Sequence, residues 1–506
     1  MKNYLLGIDI GTSACKVVVF RLDGSVAAQA SAAYPVYYPQ EGWAEQDSED
    51  WWKAVASALK QIWKSWDIAA DEIAGIGVDG QSWSAIAVDR SGKVLTNTPI
   101  WMDTRAAEIC DKLKHQVGAE RIFDLASNSL QPSYGTAKVL WYKEQLPQVY
   151  EQIDTILQSN SFIVYRLTGE QTMDKSQGYG FHCFDMKRAC WDEKMCEALG
   201  IPVSFLQRIC ECSEVVGKVT AEAVRFTGLA LGTPVVAGGL DAVCATLGAG
   251  VIHPGETQEQ GGQAGGMSIC LETYTADPRL IMSWHVVPGR WLLQGGTTGG
   301  GGTLRWFEQE FAAAERAESE RTGKTSFEQL SEQADEVSAG SEGLIFLPYM
   351  AGERSPIWNP KAKGVWYGMD FSKRRGHFAR AIMEGVAYSL RHNLETAREC
   401  GADTSELHAM GGSANSLVWT QIKADITGKV IKVPASDTAT TLGAAILAGI
   451  GTGVYDSFEH AVRKTIKLER VHEPNPAHQA VYQKGYRTYL QLYNNLKEVM
   501  NDQEVI

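Results

Sequence analysis

Two short stretches combine the residue types that could handle a charged ligand. In the first, Val235 and Val236 run into Gly238 and Gly239, a single carboxylate follows at Asp241, and Ala242 to Leu247 suit a small-residue helix closed by Gly248. A strand, a Gly pair, an acid and a helix let backbone approach a ligand closely while the carboxylate points into the opening. The same acid could simply cap the helix, as Asp often does. On this segment alone both readings stand. The second stretch is Asp9-Ile10-Gly11-Thr12-Ser13, which puts a carboxylate, two hydroxyls and free backbone N–H groups at one hairpin tip. A metal-bound polyphosphate needs donors for its oxygens and a carboxylate for hydrated Mg2+. Taken alone, a plain structural hairpin explains these residues better, because they fill turns readily.

Two further loops carry Gln81, Ser82 and Trp83, then Trp101, Asp103 and Arg105. If they converge, they make a polar pocket with aromatic walls, suited to a polyhydroxylated ligand. The simpler account is two core tryptophans and a local Asp103–Arg105 ion pair, and by themselves the residues favour it. Glycine-rich turns recur later: Gly261-Gly262-Gln263-Ala264-Gly265-Gly266, the run from Gly295 to Gly302, and Gly411-Gly412 with Asn415. Such runs cost chain entropy, so an ordered place beside a ligand is the expected use, with a plain flexible linker as the rival.

These stretches need strands to carry them. Tyr4 to Ile10, Lys16 to Phe20 and Ser25 to Ala30 are expected as strands, the last two joined by Asp23-Gly24. A helix over 48–66, capped by Asp47, should bury Trp52, Val55, Leu59, Ile62 and Trp66 as one stripe. Ile73 to Val78 is a strand ending in Asp79-Gly80. Beyond Asp241 the chain begins again: strands flank the second Gly-rich turn, helices are expected over 303–311, 377–400, 417–427 and 438–450, and an amphipathic tail from His472 packs back. Residues 153–230 say little about chemistry.

The chain has 506 residues, 44% apolar and 21% charged, which fits a globular protein of several domains. A net charge of −13 argues against a nucleic-acid partner. No apolar run is long enough to span a membrane, and the start runs straight into a strand with no leader-like segment. The ten cysteines are scattered, without the spacing of a zinc site or disulfide framework. Reduced thiols in a cytoplasmic protein are the expectation. No G-x-G-x-x-G follows the first strand, which speaks against a dehydrogenase.

Taken together, the chain resembles the FGGY family of carbohydrate kinases over nearly its whole length, and within it the xylulokinases. The resemblance rests on Asp9-Ile10-Gly11-Thr12-Ser13, Gly80-Gln81, Trp101-x-Asp103-x-Arg105, Gly238-Gly239-x-Asp241, Leu347-Pro348-Tyr349-Met350-Ala351-Gly352-Glu353-Arg354-Ser355-Pro356, Asn359-Pro360-x-Ala362-x-Gly364, and Gly411-Gly412 with Trp419 and Ala424-Asp425-Ile426-x-Gly428. It implies an α/β, two-domain actin/hexokinase/Hsp70-like (ribonuclease H-like) fold with a central cleft, divided into residues 1–249 and 250–506. It implies ATP and Mg2+ as cofactors, with Asp9 at the metal and Gly11, Thr12 and Ser13 bordering the phosphates. Gly262, Gln263, Gly301, Gly302, Gly411, Gly412 and Asn415 would line the nucleotide side. Asp241 would be the catalytic base, and Gln81, Ser82, Trp83, Trp101 and Asp103 would face the sugar with it.

The implied reaction is phosphorylation of a small sugar, with a ketopentose such as D-xylulose leading, and gluconate, ribulose, a tetrulose or a polyol as alternatives. A non-catalytic ATP-binding sensor of the same fold is the rival class, and retention of Asp9 and Asp241 argues against it. A homodimer is allowed. The sequence departs from the xylulokinase pattern at Ser82-Trp83, Met102 and Ala242 in the sugar pocket, and at Gln263-Ala264 in the second Gly-rich turn.

Overall fold

The computed structural model describes residues 2–435 and 438–502; the outermost residues of the expected division, 1 and 503–506, and residues 436 and 437 lie outside this range. The first third opens with a meander, β1 (Tyr4–Ile10), β2 (Ala14–Arg21) and β3 (Val26–Ala33). Leu5, Leu6, Ile8, Ile10 and Val17 to Val19 are buried, as expected of strands covered on both faces. Helix α1 (Ser48–Ser65) follows, its first turn held by Asp47 accepting from the Glu49 N–H at 2.9 Å. It buries Trp51, Trp52, Val55, Leu59 and Ile62, whereas Trp66 lies beyond the helix end and is 39% exposed. The expected stripe therefore stops one turn early, because the chain turns extended at Trp66.

β4 (Ile73–Gly80) pairs in parallel with β1, and β5 (Val215–Lys218), β6 (Pro234–Val236) and β7 (Gly239–Leu240) complete a seven-stranded sheet. Its order is β5-β6-β4-β1-β2-β3, with β7 pairing β4 in parallel. Helix α2 (Asp241–Gly248) leaves directly from β7.

The second sheet repeats this plan. β8 (Glu256–Gly261), β9 (Gly265–Leu271), β10 (Ile281–Trp284) and β11 (Trp291–Thr297) are followed by α3 (Gly301–Phe311). Then come α4 (Arg375–Glu399), β12 (Glu406–Met410), α5 (Leu417–Thr427) and β13 (Val430–Pro434). After α6 (Ala439–Gly451), β14 (Leu468–His472) closes the order β10-β11-β9-β8-β12-β13-β14, and α7 (Gln479–Asn501) ends the described chain. β8 is antiparallel to β9 and parallel to β12, as β1 is to β2 and β4.

The halves are tied together. Asn128 exchanges two hydrogen bonds with the Met282 backbone (2.8 and 3.0 Å), and Trp284 Nε1 donates to the Met186 carbonyl at 2.9 Å. Helix α6 follows the second sheet's strands in the chain yet packs on β1 and β4 of the first. It lies so close that a Cβ at Gly7 or Gly77 would collide with the Thr441 or Ala444 carbonyl. Tyr482, Tyr486 and Tyr489 of α7 are buried, and Tyr349 donates to the Tyr489 hydroxyl at 2.6 Å. Among the described residues no helix is long and apolar enough to cross a membrane, and all ten cysteines are unpaired.

Candidate active site

The Asp9 turn and the Asp241 turn meet at one end of the first sheet. Asp9 pairs in register with Asp79 on β4, and Asp79 pairs in turn with Gly239, two residues before Asp241. On the other side, Asp9 lies opposite Lys16 of β2. Residues laterally in register share a face, about 4.8 Å from strand to strand, so Asp79, Asp9 and Lys16 form one row. Asp79 is wholly buried, and neither of its carboxylate oxygens has a donor. Burial and the neighbouring Asp9 charge hold the Asp79 carboxyl well above the ordinary carboxylate range. Burial also raises Asp9, offset by its contact with Asp79 and by Lys16.

Asp241 is the first residue of α2, and its side chain caps nothing further along the helix. One oxygen accepts the adjacent Ala242 N–H at 2.6 Å. Burial, and secondarily the charge of Asp9, push its pKa up to about 7. A carboxylate with that value can accept a proton near neutral pH. Its strand is braced from a region where the sequence carried no recognisable signal. Ser176 Oγ accepts from the Leu240 N–H at 2.9 Å, and Asp174 accepts from Ser176 and, at 2.9 Å, from Asn160.

The Gln81 and Trp101 loops come together at this edge, with one exception. Trp101 Nε1 donates to Thr12 Oγ1 at 3.0 Å, and Gln46 Nε2 to the Thr12 carbonyl at 2.8 Å, so the Asp9 turn and the Trp101 loop share an edge. Gln81 donates to Gln46 Oε1 at 2.8 Å, and its own Oε1 is buried without a partner. Ser82 occupies the turn that follows. Trp83 has a left-handed backbone (φ 57°) and stacks on Tyr134 with centroids 4.0 Å apart. Lys138 Nζ holds this arrangement by donating to the carbonyls of Trp83, Ile100 and Ser133.

Asp103 is the exception: it is wholly buried, accepting from Arg105 Nε and from the Ala44 N–H at 2.7 Å. Arg105 continues to Glu45 at 2.7 Å. Here the local ion pair is the arrangement that forms. The second half of the chain adds Arg354, whose charge reaches Tyr134; its NH2 touches the Thr297 carbonyl at 3.3 Å, and the adjacent Glu353 acts on it by charge without coming into ion-pair contact among the described residues.

The second Gly-rich turn folds onto the start of α3. Gly301 and Gly302 donate their N–H groups to the carbonyls of Gly262 (2.7 Å) and Gln263 (3.0 Å), so these two donors are taken internally. A side chain at Gly302 would run into the Gln263 amide. Gly411, with φ 85°, abuts Gly261 and Gly262, while Gly412 and Asn415 are open to solvent. Gly11 is tied back by Tyr34 at 2.6 Å, and Ser13 is exposed at the first turn.

Sequence reasoning had not assigned Asp79, Lys16, Tyr134 or Arg354. Asp79 had a signal, a lone acid ending an otherwise apolar strand. Two matching mixed sheets, a glycine turn on each, and a group of carboxylates at the tip of one define the actin/hexokinase-like class of two-domain ATPase fold.

The comparisons narrow the class. The FGGY family of carbohydrate kinases matches with its N-terminal domain over residues 4–248 and its C-terminal domain over 266–452. The chain is 30% identical over 500 residues to a xylulose kinase of Bacillus subtilis (strain 168), covering 98% of each chain. It is also 30% identical over 505 residues to a gluconokinase of the same organism, covering 99% of this chain and 97% of that one. The crystal structure of xylulose kinase from Rhodospirillum rubrum superposes with a TM-score of 0.89 at 30% identity, covering 99% of this chain and 100% of that one. The chain belongs to the FGGY family of carbohydrate kinases. It is a phosphotransferase that acts on a carbohydrate hydroxyl with ATP as phosphate donor.

Proposed function

We propose that the chain phosphorylates a small open-chain sugar, with a ketopentose such as D-xylulose, giving xylulose 5-phosphate, as the leading acceptor. The observation that carries the reading is Asp241: a carboxyl with a pKa of about 7, one oxygen committed to Ala242, standing beside the Asp9 turn. In this reading Asp241 draws the proton from the acceptor hydroxyl as that oxygen attacks the γ-phosphorus, and ADP leaves. Little covalent work is asked of the protein, so positioning and charge carry the catalysis.

Gln81, Ser82, Trp83 and Trp101 hold the sugar, with Asp103 acting through Arg105 and Ala44 on the loop that carries Trp101. Gly11, Thr12 and Ser13 border the phosphates. Gly262, Gln263, Gly301, Gly302, Gly411, Gly412 and Asn415 line the nucleotide side. Asp9, with an unpartnered carboxylate beside it, fits a divalent cation such as Mg2+, which would neutralise charge on the transferring phosphate.

A second acceptor class is favoured by Arg354. A guanidinium that reaches Tyr134, and so the Trp83 wall, with Glu353 near in charge but no carboxylate in ion-pair contact among the described residues, suits an acceptor bearing an acid group, as the equally similar gluconokinase suggests. Trp83, Met102 and Ala242 also replace hydroxyl-binding residues usual in xylulokinases. A coupled ADP-release screen over pentuloses, hexuloses, aldonates and polyols decides: highest kcat/KM for D-xylulose supports the first reading, and highest for an aldonate the second. No acceptor-dependent ADP release would leave a nucleotide-binding sensor. The reading also includes a division near 249/250, a cytoplasmic location, no nucleic-acid partner, and allowance for a homodimer.

A further inference from the structure

We propose that Asp79 is a second carboxylate ligand of the divalent-cation site, holding the nucleotide's metal jointly with Asp9. The inference rests on the reading that places the metal at Asp9, and it assigns a residue that the sequence left as the end of a strand.

Three observations carry it. First, register: Asp79 and Asp9 are directly paired on adjacent parallel strands, one residue before each strand ends, so their side chains leave the same face at the same edge. Second, Asp79 is fully buried and both of its oxygens lack a donor. A carboxylate only accepts, so two of them side by side leave lone pairs facing lone pairs. Burying such a group without a partner is expensive unless a cation or a proton lies between. Third, the protein supplies no cation of its own there: among the described residues neither Asp9 nor Asp79 has a Lys, Arg or His within ion-pair distance. Lys16 faces Asp9 across the hairpin but on the side away from Asp79.

The second sheet supplies the control. The position matching Asp9, one residue before the end of its strand, is Gln260, and its neighbour on the parallel strand is Met410; the adjacent acid, Glu259, pairs with Ala409. Glu259 is neutralised internally by Lys423 at 2.7 Å. The matching pair in the second sheet carries no acid and the acid next to it has its own lysine, whereas in the first sheet two carboxylates stand side by side with no lysine in ion-pair contact among the described residues. Two hard oxygen ligands from adjacent strands suit a Mg2+ or Mn2+ ion that keeps waters and phosphate oxygens in its other positions.

The test titrates Mn2+ alone onto the full chain, following free Mn2+ by EPR and the waters on bound Mn2+ by proton relaxation. Wild type, Asp79→Asn, Asp79→Ala and Asp9→Asn are compared, with circular dichroism confirming the fold of each. The expected result is at least a tenfold loss of Mn2+ affinity for both Asp79→Asn and Asp9→Asn, with one more water on the Mn2+ bound to Asp79→Ala. Loss in Asp9→Asn alone, or unchanged hydration in Asp79→Ala, overturns the Asp79 assignment and leaves Asp9 at the metal. Wild-type affinity in every variant overturns both. Because Asp79→Asn is isosteric, a failure of Asp79→Ala to fold leaves the affinity of Asp79→Asn to decide.

Discussion

In the first sheet Asp9 lies beside Asp79, with no internal cation in contact; in the second, Gln260 and Met410 hold the matching positions, and the neighbouring Glu259, beside Ala409, is clasped by Lys423, which also donates to Ser413 at 2.7 Å. Both hairpins turn through glycine. The first exposes Ser13 and ties Thr12 to Trp101, whereas the second spends its carbonyls on the N–H groups of Gly301 and Gly302. One plan is thus used twice, once left electrostatically open and once closed on itself. An open carboxylate is suited to a ligand, and a closed one to holding the scaffold.

The sharpest way to break that contrast is Asp241→Ala. Under the proposed assignment it lowers kcat by roughly 10²–10⁴-fold, the usual contribution of a general base, with nucleotide affinity and melting temperature near wild type. A variant that melts early and keeps its rate would return Asp241 to a helix-start role. Next in size is the buried pair of the second sheet. Lys423→Met strands Glu259 and should cost about 3–5 kcal/mol of unfolding free energy in denaturant titration, leaving the metal requirement alone. Asp9→Asn should do the reverse, raising the Mg2+ concentration for half-maximal rate without loss of stability. Equal effects of the two changes on either readout would erase the distinction between the sheets.

The pH response is smaller and has two signs. As a base Asp241 must be ionised, so kcat/KM should fall about tenfold per unit below its pKa of about 7. For stability, the folded state binds this proton more tightly than the unfolded chain, whose value is 3.8. The stabilising contribution is complete below 3.8 and is lost as the pH rises through about 7. Asp241→Asn should therefore gain melting temperature over wild type as the pH is raised from 4 to 8. A constant difference would place the pKa elsewhere. The smallest effect is expected at the second turn, where Gln263→Thr should change the KM for ATP by only a few-fold, since the neighbouring carbonyls already serve α3.

Much of this was legible in the sequence. β1, the Asp9 turn and α5, whose bounds Leu417 and Thr427 coincide with expectation, announce themselves through local periodicity and Gly or Ser punctuation. Asp9 and Asp241 stood out because glycines surround them. Asp79 ends an apolar strand in the sequence, but its meaning comes from lateral register with a strand 70 residues away in the chain. The same holds for Asp174 and Ser176, which brace the Asp241 strand from a stretch with no motif of its own. Asp103 shows the converse: an acid two residues from an arginine reads first as an ion pair, and the Ala44 N–H and Glu45 that complete its surroundings come from 59 and 60 residues away in the chain.

Helix α6 carries a consequence for synthesis. It covers Gly7 and Gly77 at distances no side chain would permit, yet it is encoded from Ala439 onward. As the chain leaves the ribosome at about 5–20 residues per second, that face of the first sheet waits roughly 20–70 s for its cover. During that interval the face of β1 and β4 around Leu5, Gly7 and Gly77 lies bare, with its backbone open to other strands or helices. The nascent first half should therefore depend on chaperones more than the finished chain does, and a stop codon placed before residue 439 should yield an aggregating half rather than an autonomous domain.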